Sequence, residues 1–358
     1  MTSPKDLVAF LSREAERGTW CTGFQVCLTV DGRSVVDHAY GTDGTGAEIH
    51  PDDLFAIYCA GKPLTATVIA DLVDRGELSF DDQLGHVIDG ALHEELARLT
   101  IEQLLSHQAG LWRYPAVAFL PMPPADRARA TRQLAPHDQL TSTVSYAEYA
   151  SWELLKYAIE NLTGHSFVDE WRRVQRALRL PGDLYFTLSV DQRSRLRLNA
   201  DMQTGIPIPL LWERAPSNLD DARPAVGAMA SMRSLAGFYA RLLERRIQSP
   251  SSSLACMLQP AAAPHWDRVL RRRCQFGRGF MVNLALHHFG DGLTTSSFGH
   301  SGLSGMTFAG ADPSMGVAFA VHLNGITTHE LGSQLSDSSP ESRRRVIGDL
   351  LLDCARQL

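Results

Sequence analysis

Cys59 and Lys62 stand three residues apart in the stretch FAIYCAGKPLT, Phe55–Thr65, and could supply a nucleophile and its base. On a helix this spacing puts both side chains on one face. A thiol in a helix's first turn lies beside unpaired N–H groups and partial positive charge, which favour the thiolate. A neighbouring amine can take the proton, whereas a guanidinium stays charged. The choice of lysine therefore carries weight, because only Lys5, Lys62 and Lys156 among the 34 basic residues are lysines. Taken alone, C-x-x-K is a common spacing and a buried, inert cysteine is the plainer reading. The elements around the pair decide between the two.

The chain of 358 residues is long enough for a full core. A net charge of −6 and 44% hydrophobic residues give no sign of a nucleic-acid binder or a disordered chain. No apolar run approaches membrane-spanning length, so no membrane partner is expected. The N-terminal stretch MTSPKDLVAFLSREAERG reads as a helix capped by Ser3, with Pro4 in its first turn. It lacks the basic start and apolar centre of a signal peptide, which points to a cytoplasmic location. Six scattered cysteines without a CxxC pair read as reduced thiols rather than a disulfide framework or a zinc site. No metal or cofactor is implied.

Along the chain, Gly23–Gly41 is a β-hairpin about an Asp31-Gly32 turn, and a helix follows from about Cys59 to Arg75. Thr100 and Gln103 form a capping box for the next helix. Residues 112–145 form a long excursion with short helices. Two helices follow, the first ending at Gly164, and residues 201–225 form a second irregular loop. Met229–Arg246 is an amphipathic helix. Strands are expected in Phe276–Phe289, Thr294–Pro313 and Gly316–Gly325, with a closing helix in 341–358. Strands from both ends would join one antiparallel sheet, giving an α+β plan with a sheet lobe of about 1–58 and 226–358. A helical lobe of about 59–225 would leave a cleft between the two.

Phe55–Asp82, FAIYCAGKPLTATVIADLVDRGELSFDD, resembles the active-site helix of the serine β-lactamase and penicillin-binding-protein superfamily. Its pattern is closest to class C enzymes and their esterase relatives, F-x-I-x-S-x-x-K-x-x-T. Phe55, Ile57, Lys62, Pro63, Thr65, Gly76, Leu78, Asp81 and Asp82 all match, and LLSHQAGL, Leu104–Leu111, is similar to L-L-S-H-x-S-G-L. The likeness continues through Ser145–Phe167, Gly227–Leu243, Phe276–Phe280 and Phe298–Asn324 in the family's order. It implies one β-lactamase/transpeptidase-like catalytic domain over 1–358, an antiparallel sheet flanked by helices plus an all-helical lobe, and a covalent acyl-enzyme.

The resemblance also implies roles for single residues. Tyr146, 87 residues after Cys59, falls on the Y-x-N tyrosine that shares the proton shuttle with the lysine. His300-Ser301-Gly302 falls on the K-T-G strand, where esterase-like members often carry H-x-G; His300 would tune Lys62 and Tyr146. Gly302 would let substrate approach the strand. The oxyanion hole would be the N–H groups of Cys59 and Leu303. Trp112, Glu148, Trp152, Trp212, Ser301 and Gly302 would contact the substrate, while His107 would hold its own turn. Two positions depart from the pattern. Cys59 stands where the family has serine, and Glu148 replaces the asparagine of Y-x-N, which argues against efficient β-lactam hydrolysis.

An acyl group on cysteine is a thioester, which amines attack more readily, relative to water, than they attack an oxygen ester. The expected function is therefore a transacylase of antibiotic or other secondary metabolism. It would move an acyl group from a small-molecule ester, a thioester or a carrier-bound donor to an amine or another acceptor. A carboxylesterase or amidase is the alternative, and an inactive binding module the third. Two further groups have plainer explanations: His287-His288 as exposed residues of a hairpin turn, and Arg271–Arg273 as a solvated strand end.

Overall fold

Hydrophobic strands from opposite ends of the sequence meet in one sheet. The structure, a computed structural model, describes residues 2–18, 20–137, 144–202, 208–209, 219–326 and 343–357. The strands are β1 (Gly23–Val30), β2 (Arg33–Gly41), β3 (Phe55–Ala56), β4 (Leu184–Tyr185), β5 (Ala200–Asp201), β6 (Ile208–Pro209), β7 (Met229–Ala230), β8 (His265–Asp267), β9 (Arg272–Cys274), β10 (Met281–Val282), β11 (Phe298–Gly302), β12 (Thr307–Asp312) and β13 (Val317–Leu323). The helices are α1 (Pro4–Arg17), α2 (Lys62–Asp74), α3 (Leu84–Val87), α4 (Glu94–Ala97), α5 (Ile101–Leu105), α6 (Pro124–Arg132), α7 (Ala150–Thr163), α8 (Phe167–Ala177), α9 (Val190–Arg193), α10 (Met232–Gln248), α11 (Ser253–Met257) and α12 (Arg343–Ala355).

The main sheet has six antiparallel strands in the order β10-β11-β12-β13-β1-β2. Its centre is the pairing of β1 with β13, from Phe24 opposite Leu323 to Val30 opposite Val317. Asp31 and Gly32 take positive φ at the β1–β2 turn, as a primed hairpin turn requires. Alternation along β13 separates two layers. Val317, Phe319 and Val321 face one cluster with Leu7 and Leu11 of α1 and Ile347 and Leu351 of α12. Ala318 and Ala320 face the other, where their small side chains make room for Leu235 and Phe238 of α10. The expected α+β arrangement, an antiparallel sheet with helices, is the one observed.

Local signals placed the helices well. Ser3 and Thr100 both close capping boxes, and Gly164 ends α7 with φ of 68°. Phe276–Phe289 differs from expectation. Its strand is only Met281–Val282, because Asn283 and His288 take left-handed φ and bracket a 3-10 turn, Leu284–His287. Among the described residues, no helix is long and apolar enough to cross a membrane.

Candidate active site

The chain leaves β3 through Ile57 and enters a 3-10 turn, Tyr58–Gly61; α2 begins only at Lys62. Tyr58 takes φ of 51°, a left-handed value uncommon outside glycine. Residues three apart eclipse in a 3-10 turn, so Cys59 and Lys62 stay on one side although α2 starts later than the pattern suggested. The turn is clamped from two directions. Ile57 N–H donates to the Ala228 carbonyl at 2.9 Å, and a methyl group on Gly61 would fall 2.3 Å from Ala228 Cβ. On the opposite side a methyl group on Gly302 would fall 2.1 Å from the Ile57 carbonyl oxygen. The space beside Gly302 is thus filled by the Cys59 turn itself rather than left for substrate.

Cys59 is half-buried, and its charge reaches the Tyr146 phenol. Lys62 is fully buried; its Nζ donates to the Ala225 carbonyl at 2.9 Å and lies 5.4 Å from the Tyr146 ring centre and 5.5 Å from that of Trp152. Burial, with the charge of Cys59 next, holds the Tyr146 phenol well above its ordinary pKa, so Tyr146 is protonated at rest. His300 lies beside the tyrosine, with ring centres 6.1 Å apart. Its Nδ1 faces the Ser301 carbonyl at 2.8 Å and so carries the hydrogen, while the buried Nε2 has no partner among the described residues. Burial and the nearby Lys62 charge keep the imidazole neutral, well below its usual pKa.

Two residues hold Tyr146 in place. The Asp267 carboxylate, fully buried in the β8–β9 hairpin, accepts the Tyr146 N–H at 2.7 Å on one oxygen. Its other oxygen accepts the N–H groups of Val269 and Leu270, both at 2.8 Å. His107 Nδ1 accepts the Ala147 N–H at 3.1 Å, and its ring packs 5.0 Å from that of Tyr146. Burial, then the Lys62 charge, pushes His107 down to about 3, so it is a neutral acceptor. Asp267 escaped sequence reasoning, since a carboxylate reaching 121 residues back along the chain leaves no local pattern.

The remaining candidates fall in different places. Leu303 opens a second 3-10 turn, Leu303–Gly305; its N–H, like that of Cys59, sits where a helix start offers no intrahelical acceptor. Trp152 is completely buried beneath Lys62 and against Gly279, so it supports the lysine and does not line an open wall. Ser301 lies on the opposite side of β11 from His300 and Gly302, and its Oγ accepts from Arg344 of α12 at 2.9 Å. Glu148 is half-buried, and its Oε2 accepts the Ala116 N–H at 2.8 Å. Trp112 is half-exposed with Arg113 stacked 4.7 Å from its ring. Trp212 lies outside the described residues.

The six cysteines are free. Burial pushes the thiols of Cys21, Cys27 and Cys274 up to about 12 and that of Cys354 to about 11, which marks them as inert. His287 is not exposed as expected. It is fully buried against Phe276, with Nε2 2.8 Å from the Gln275 carbonyl oxygen. Arg271 and Arg273 are exposed on the β8–β9 hairpin, as a solvated strand end would be.

Comparisons with known proteins bear on the fold. The profile of the Beta-lactamase family matches residues 11–336. Among curated proteins, "Penicillin-binding protein 4" of Amycolatopsis lactamdurans is 39% identical over 71 residues, a stretch spanning 19% of each chain. A penicillin-binding-protein homologue from Caulobacter crescentus superimposes with a TM-score of 0.73 at 22% identity, over 100% of this chain and 98% of that one. EstCE1, described as a hydrolase with promiscuous acyltransferase activity, superimposes with a TM-score of 0.74 at 17% identity, over 94% and 98%. At these identities the superpositions speak for the fold, which also carries carboxylesterases and amidases. The chain belongs to the Beta-lactamase family.

Proposed function

We propose that this protein is an acyltransferase that takes an acyl group from a small-molecule or carrier-bound ester or thioester onto Cys59 and passes it to an amine or another acceptor. The observation that carries the reading is the fully buried amine of Lys62, three residues from Cys59 and 5.4 Å from the ring of Tyr146, whose phenol feels the charge of Cys59. In this reading Cys59 Sγ attacks the donor carbonyl while its proton passes to the Tyr146 oxygen and the tyrosine's own proton moves on to the leaving group, with Lys62 beside the relay. The N–H groups of Cys59 and Leu303 hold the oxyanion. Collapse expels the donor's alcohol or thiol, which leaves with the proton. The acceptor's nitrogen then attacks the thioester, its surplus proton returns to sulfur by the same route, and the amide departs. His300 is the neutral neighbour of this relay, and Asp267 and His107 hold its tyrosine.

Water in place of the amine would make the same machinery a hydrolase, a reading that the carboxylesterase and amidase structures of this fold equally support. Intact-mass spectrometry with activated esters separates the two. Acyl adducts on Cys59 that discharge faster with amine than with water support transfer, and release by water alone makes the protein a hydrolase. Cys59→Ser should raise hydrolysis relative to transfer; an unchanged ratio would sink the thioester argument. A Cys59→Ala variant that still forms the adduct would remove Cys59 from the reaction.

A further inference from the structure

The C-terminal half of α2 lines a cleft of about 120 Å³, closed by Leu178 after α8, the end of α10 and the start of α11. Most charges around it are already paired. Asp71 pairs with Arg75 at 2.9 Å and with Arg173. On α10, Arg241 donates to the Leu178 carbonyl at 3.0 Å and pairs with Glu244, and Arg246 donates to the Ser296 carbonyl at 3.2 Å. Two lining groups differ. Arg245 is half-buried, and its Nε is shielded from solvent with no acceptor among the described residues. Asp74, at the exposed rim, accepts the Ser253 N–H at 2.8 Å on Oδ1, and no donor among the described residues reaches its Oδ2. These two groups have opposite charge and line one cleft, yet they are not paired with each other.

We propose that this cleft binds a small zwitterion, a free aliphatic α-amino acid, with its carboxylate on Arg245 Nε and its ammonium on Asp74 Oδ2. A buried N–H without an acceptor is costly, so a ligand oxygen that reaches Arg245 Nε is favoured. The hydroxyls suit the other end. Thr67 Oγ1 gives its hydrogen to the Pro63 carbonyl and Ser252 Oγ gives its own to the Ser249 carbonyl, so both can only accept from a ligand. A lone anion would be repelled by Asp71 and Asp74, and a lone cation by Arg245. A molecule carrying both charges meets neither objection, and Ala70, Leu178 and Leu254 give its side chain an apolar wall. None of the lining residues belongs to the Cys59 site, so the inference stands whether or not Cys59 is a nucleophile.

The test is binding of L-valine to the full chain, read by isothermal titration calorimetry. Saturable one-to-one binding is expected. It should be about tenfold tighter than for 3-methylbutanoate, which lacks the ammonium, or for 2-methylpropylamine, which lacks the carboxylate. Asp74→Asn, which keeps an oxygen for the Ser253 N–H, and Arg245→Met should each weaken valine binding about tenfold. In Asp74→Asn the gap between valine and 3-methylbutanoate should also close, a change that a merely structural role for Asp74 would not produce. Valine that fails to bind, that binds no better than its two singly charged analogues, or that binds both variants with parental affinity would overturn the inference. Should Arg245→Met fail to fold, Asp74→Asn, at an exposed position, still decides the matter.

Discussion

Two buried cations in this molecule are handled in opposite ways. Arg127 on α6 is ringed by acids, with Glu153 at 3.4 Å and Asp221 at 2.7 Å, and it also donates to the Met122 carbonyl at 3.3 Å. Glu153 in turn accepts from Tyr149 at 3.0 Å and Tyr157 at 3.1 Å. Lys62 has one carbonyl and two aromatic faces, and among the described residues no carboxylate is within ion-pair distance. The first arrangement fixes a charge, because removing either sign strands the other in the interior. It ties α6 to α7 and to the 219–225 segment. The second leaves an amine that can exchange a proton without abandoning a counter-ion. One is built to stay as it is and the other to change state.

The largest test of this contrast is Lys62→Met. Acylation of Cys59 should fall by about a thousandfold or more, in the range of a lost general acid–base group, with a thermal midpoint close to the parent. A protein that fails to fold would break the contrast by making Lys62 structural. Arg127→Met should do the reverse, costing about 3–5 kcal/mol in denaturant unfolding because Glu153 is left uncompensated. The folded fraction should acylate at nearly the parental rate. Tyr146→Phe comes next. A loss of about a hundredfold in acylation with little change in stability is expected for a relay hydroxyl, and an unchanged rate would take the tyrosine out of the proton path.

The smallest effect is set by histidines kept neutral in the interior. Burial holds His107 and His322 at about 3, against an ordinary value of 6.5. Below pH 6.5 the unfolded chain binds protons that the folded chain refuses until near pH 3. Stability is therefore full above pH 6.5 and falls with decreasing pH, by about 1.4 kcal/mol per unit for each ring. His322→Gln, at a ring stacked on Phe55 in the parent, should flatten the slope measured by urea unfolding between pH 6 and 4. Parallel slopes would show that His322 is not held neutral.

Much of this was legible from residues close in sequence. Ser3, Thr100 and Gly164 announce helix ends because capping is a local exchange of hydrogen bonds. Cys59 and Lys62 were placed together by spacing, and the structure puts Tyr146 and His300 beside them. Ser301 binds Arg344, on the side that period-two alternation along a strand puts opposite His300 and Gly302. The burial of His287 had no such signal, since it depends on Asn283 and His288 turning the chain at left-handed φ. Asp267 was invisible for a different reason. Its turn-capping oxygen is readable as a local Asp turn, but the oxygen that meets Tyr146 is a purely tertiary contact.

The pairing of β1 with β13 also sets the order in which the molecule can be made. Phe24 and Leu323 are about 300 residues apart, yet they are neighbours at the centre of the sheet. During synthesis the N-terminal hairpin must wait, one edge unpaired, until β13 has left the ribosome, about half a minute at ordinary elongation rates. Until then its apolar face has neither strand partner nor finished core, so this is the stretch a chaperone would need to shield. Nascent chains stalled before β13 should be protease-sensitive across Gly23–Gly41, and those stalled after it should resist.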